Sequence, residues 1–180
     1  DTNGVRVVVD AKVVDKDIKL PEERQTSAET LEADTLEVLA DLNHASQKGL
    51  QTIFDSSVGR STVNHPLGGR YQITPTEASV QKLPVQHGVT TTASVMAQGF
   101  NPYVAEWSPY HGAAYAVIEA TARLVAAGAN WSKARFSYQE YFERMDKQAE
   151  RFGQPVSALL GSIEAQIQLG LPSIGGKDSM

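Results

Sequence analysis

Residues 107–128, Trp-Ser-Pro-Tyr-His-Gly-Ala-Ala-Tyr-Ala-Val-Ile-Glu-Ala-Thr-Ala-Arg-Leu-Val-Ala-Ala-Gly, decide how the chain is read. Ala114, Val117, Ile118, Thr121, Leu124 and Val125 recur at helical spacing, which predicts a helix over 110–127 with one apolar face. Its many alanines allow close packing against a sheet, and Gly128 stops it.

Upstream, Val89–Gln98 is rich in β-formers, and Gly99-Phe100-Asn101-Pro102 reads as a turn. Tyr103–Trp107 then reads as a returning strand, so 89–107 predicts a hairpin. Downstream, 131–136 reads as a strand. Ser137-Tyr138-Gln139-Glu140 has capping-box spacing and predicts a helix striped by Tyr138, Tyr141, Phe142, Met145 and Ala149. Gly153-Gln154-Pro155 is expected to break that helix. A further helix bears Val156, Leu159, Leu160, Ile163 and Ile167, with Gly170 as its cap. Leu171–Ile174 is a short strand running into Gly175-Gly176. The expected order is ββ-α-β-α-α-β, an α+β fold with a mixed sheet and helices packed on one face.

The periphery is less regular. Val5–Val9 reads as a strand. From Thr26 and Ser27, both able to cap, an acidic helix with a thin stripe of Leu31, Leu39 and Leu42 runs toward Gly49 and suits a connector. Residues 50–85 are punctuated by Gly59, Pro66, Gly68, Gly69 and Pro75. They read as a long loop region with short strands at Gln51–Phe54 and Tyr71–Thr74, a length that favours function in a compact domain. The chain opens without Met and stops at Gly175-Gly176-Lys177-Asp178-Ser179-Met180, as expected of a piece of a longer polypeptide.

Composition narrows the chemistry. The 180 residues carry a net charge of −5 and contain no cysteine. Disulfides, thiolate metal sites and thiol catalysis are excluded. An acidic balance argues against non-specific nucleic-acid binding. No apolar run approaches membrane-spanning length and no signal peptide is visible, so a cytoplasmic location is expected.

Three groupings can carry chemistry. Gly175-Gly176-Lys177-Asp178-Ser179 after a strand can present backbone N–H groups and a lysine to phosphate, with Asp178 toward Mg²⁺. It lacks Walker A spacing, and the alternative is a surface turn. Asp55–Ser61 gathers an acid, hydroxyls and Arg60 around Gly59, suited to a phosphorylated ligand or to a solvated turn. Glu119 and Arg123, four apart on the alanine-rich helix, form either a helix salt bridge or a ligand-facing pair. The histidines at 44, 65, 87 and 111 stand at no metal-ligand spacing to one another.

The terminal Gly-Lys-Asp-Ser-Met resembles a loop of phosphoribosylformylglycinamidine (FGAM) synthase. So do Thr90-Thr91-Thr92-Ala93-Ser94, Trp107–Ala113, Glu119–Arg123 and Ala126-Ala127-Gly128, in the same order and spacing. Arg135–Phe142 and Gly161–Gln166 look like the clostridial and Bacteroides variety of the long single-chain enzyme. The resemblance covers nearly the whole chain. It implies the N-terminal domain of the second of two related halves, with a fold like the N-terminal domain of aminoimidazole ribonucleotide synthetase. Residues 1–20 would then be the tail of the preceding domain, 21–48 a helical connector, and 49–180 the domain itself.

The resemblance further implies an ATP-dependent ligase of purine biosynthesis that uses glutamine and Mg²⁺, with the principal active-site groups in the absent first half. It assigns Lys48, Asp55 and Arg60 to a substrate-facing segment. It assigns Gly175, Gly176, Lys177, Asp178, Ser179 and Arg123 to nucleotide contacts. His87 and Arg123 stand where relatives carry an acid and an Asn, so Glu119, with His87 beside it in the pattern, is a weakened metal set. The implied partners are the remaining domains of the same chain, with self-association through hairpin 89–107 as a further expectation. The other readings are a purely structural module completing a pseudo-dimer, or the nucleotide-binding domain of a related enzyme such as selenophosphate synthetase.

Overall fold

The computed structural model describes residues 27–42, 44–46, 48–54, 61–145 and 148–179. The expected strand at 5–9 lies outside them. Contacts divide the chain into two compact units, one including Lys19–Ser94 and the other Val95–Met180. Helices and strands both contribute, so the α+β class holds. Among the described residues the strands form three two-stranded ladders in place of one mixed sheet.

In the first unit, α1 spans Leu31–Ala40 and buries no side chain. Its leader is tied back by Leu31 N donating to Ser27 O at 3.0 Å and Thr30 N to Ser27 Oγ at 3.3 Å. The helix stops at Ala40, well short of Gly49, because Asp41 turns to extended geometry. Gly49 instead lies inside α2, Lys48–Phe54, so the strand expected at Gln51–Phe54 is helical. The strand expected at Tyr71–Thr74 shrinks to β2, Thr74–Pro75, antiparallel to β1, Leu67–Gly68. Gln72, at a φ of 51°, is held in the intervening turn and cannot extend the ladder. Next, β3, Ala78–Lys82, pairs with β4, Ala93–Ala97, and Leu83 N donates to Thr92 O at 3.0 Å beside them.

In the second unit the expected hairpin 89–107 does not form. Tyr103–Trp107 belongs to α3, Pro102–Trp107. The Asn101-Pro102 pair acts as a helix start: Asn101 Oδ1 accepts from Tyr103 N at 3.1 Å and Val104 N at 3.2 Å, and proline supplies a preset φ at the first helical position. Ser108 ends α3 and caps α4, Pro109–Ala126, which matches the predicted helix. The helix buries Gly112, Val117, Ala120 and Thr121, while Ile118 and Val125 stay half exposed.

Residues 131–133 form a 3₁₀ turn, and the strand expected at 131–136 begins only at its last residue, as β5, Phe136–Tyr141. The helix expected to open at the capping box does not form there: Phe136–Tyr141 is strand and 142–145 are not helical. Burial alternates along β5, with Phe136, Tyr138 and Glu140 inward, and this period of two prevails over a four-residue capping signature. One long helix, α5, Ala149–Leu169, follows and absorbs the Gly153-Gln154-Pro155 expected to break it. Its buried residues are small: Gly153, Pro155, Ser157, Ala158, Gly161, Ser162 and Ala165. They let α5 lie tightly on α4, and they turn Leu159, Leu160, Ile163 and Ile167 outward, at 44–74% exposure. Gly170, at a φ of 67°, closes α5 as expected. Gly170 N donates to Ile167 O at 3.2 Å and Leu171 N to Gln166 O at 3.0 Å, a Schellman motif. That turn drives Leu171 into a core shared with Val117, Ala120, Phe136 and Ala165.

The last strand, β6, Ser173–Ser179, runs parallel to β5. Among the described residues the unit thus reads α3-α4-β5-α5-β6, preceded by the last three residues of β4. No helix among the described residues is long and apolar enough to cross a membrane.

Candidate functional site

The segment Gly175–Ser179, which reads from sequence as a phosphate-cradling loop or a surface turn, is strand. Tyr138 pairs with Gly176, Gln139 with Lys177, Glu140 with Asp178 and Tyr141 with Ser179. Gly176 is demanded by the ladder itself, since a Cβ there would lie 2.7 Å from Tyr138 O. The strand's alternation sends Lys177 and Asp178 to opposite faces. While β6 stays paired, these two side chains cannot grip one ligand together.

Half-buried Glu140 stands opposite exposed Asp178 in the ladder. Burial, and then the neighbouring carboxylate of Asp178, push the Glu140 carboxyl above its usual range. Beside them burial pushes the Tyr138 phenol up to about 12. Ser162 is close enough to temper that shift. Its hydroxyl is already donated to Leu159 O at 2.9 Å, and the Tyr138 oxygen has no hydrogen-bond partner among the described residues.

The Glu119–Arg123 pair is a salt bridge of 2.8 Å on α4. It does more than brace the helix. Glu119 Oε2 accepts from Phe100 N at 2.8 Å, and Arg123 Nη1 donates to Gln98 O at 2.8 Å. Together the two side chains clamp the turn between β4 and α3 onto α4. Both Glu119 carboxylate oxygens are engaged, one by a cation and one by an N–H. A Mg²⁺ ion there would have to compete with the Arg123 guanidinium and the Phe100 N–H, so the pair as it stands is a poor site for the ion. His87 is exposed and belongs to the other unit. No group of three or more metal-capable side chains occurs among the described residues.

Lys48 opens α2, with its N–H donated to Ser46 Oγ at 3.3 Å and its side chain exposed. Asp55 and Arg60 lie outside the described residues.

Two polar groupings escaped the sequence reading. Ser108, 1% exposed, places its Oγ 2.9 Å from His111 Nδ1, and the His111 ring also packs at a tilt against Trp107 and meets Tyr110 edge-on. The Ser-Pro dipeptide that opens a helix, with His three residues on, was the available signal. Tyr110 of α4 donates to the Glu164 carboxylate of α5, which raises the phenol's pKa. Nothing local in sequence announces a pair 54 residues apart.

Comparison with protein-family models, curated proteins and solved structures gave no match.

Proposed function

We propose that this chain is part of an FGAM synthase-type enzyme, an ATP-dependent ligase that converts formylglycinamide ribonucleotide and glutamine to formylglycinamidine ribonucleotide. Its fold would then be that of the N-terminal domain of aminoimidazole ribonucleotide synthetase. The observation that carries this reading is the ordered series of motifs from Thr90–Ser94 to Gly175–Met180. Its partners would be the other domains of the same polypeptide, and ATP and Mg²⁺ would act at groups those domains supply.

A second reading, a structural module without ligand chemistry of its own, is favoured by one observation. Glu119 and Arg123 are spent on the Gln98–Phe100 backbone, and Gly175–Ser179 are spent on a ladder with β5. The two readings are compatible if this unit shapes an active site formed elsewhere.

The test takes two preparations. A full-length polypeptide containing this chain is expected to form FGAM from the ribonucleotide, ATP, Mg²⁺ and glutamine, and absence of turnover there overturns the proposal. The 180-residue chain alone is expected to be inert with glutamine or ammonia, and to show weak or no binding of ADP with Mg²⁺ by calorimetry. Micromolar binding abolished by Glu119→Ala would show that Glu119 serves a ligand and would overturn the structural reading of the clamp.

A further inference from the structure

We draw no further inference here: the strongest candidate, the outward apolar face of α5 formed by Leu159, Leu160, Ile163 and Ile167, carries nothing because no feature of the described residues shows what covers it.

Discussion

Gly161 of α5 rests on the main-chain carbonyl of Tyr110 in α4, so closely that a Cβ at position 161 would lie 2.0 Å from that oxygen. The obstacle is backbone, which cannot rotate away as a side-chain tip can. Gly161→Ala is therefore expected to force the helices apart and cost about 1–3 kcal/mol. Leu160→Ala, next to it on the outward face, is expected to cost about 0.5 kcal/mol. Urea denaturation of both variants checks the contrast, and equal midpoints would contradict the packing described.

The clamp on the β4–α3 turn has its own signature. Glu119→Ala strands the Phe100 N–H and removes the ion pair with Arg123, an expected loss of about 1 kcal/mol. Hydrogen exchange at the Phe100 amide should accelerate in that variant and much less in Arg123→Ala, which leaves the acceptor in place. Unchanged Phe100 exchange in Glu119→Ala would argue against the bond.

Asn101 starts a helix. Asn101→Ala is expected to cost about 1 kcal/mol, whereas Asn101→Asp, which keeps a capping oxygen, should cost far less. Thermal melts of the two variants decide it. Equal stability of Ala and Asp at this position would favour the hairpin reading of 89–107.

Glu140 predicts a pH dependence. Its carboxyl is raised above the ordinary 4.5, so the folded state holds its proton more tightly than the unfolded chain does. Stability is then lost as pH rises through that range. Glu140→Gln is expected to stabilise the fold at pH 7 by a few tenths of a kcal/mol, the carboxyl being only partly buried and so screened by solvent. The advantage should fade below about pH 4.5, where the wild-type carboxyl is protonated in both states. A gain that persisted into acid would point to packing and away from charge.

What could be read from the sequence followed the length over which a signal repeats. The helix 110–127 was legible because its apolar spacing runs for several turns, and Gly170 because glycine after a periodic run ends helices. Short signals misled where tertiary structure arbitrates. Asn101-Pro102 serves a turn or a helix start equally well. Ser137–Glu140 carries capping-box spacing inside what is an alternating strand. Leu159, Leu160, Ile163 and Ile167 marked a helix correctly and its buried face wrongly, since Gly161, Ser162 and Ala165 make the close contact. Of the candidate site, the Glu119–Arg123 pair was visible as a helical i, i+4 spacing. Its backbone targets at Gln98 and Phe100 were not, because they lie a chain reversal away. The glycine pair near the end looked like loop for want of a visible partner strand.

The parallel pairing of β5 with β6 also orders events in time. Parallel neighbours cannot meet through a tight turn, and here the whole of α5 lies between Phe136 and its partner Ser173. The ladder is expected to close after α5 has settled on α4 and its Schellman turn has aimed Leu171 into the core. Residues 173–179 are thus expected to join late in folding and to be the first to let go, leaving the α4–α5 pair as the nucleus that both precedes and outlasts them.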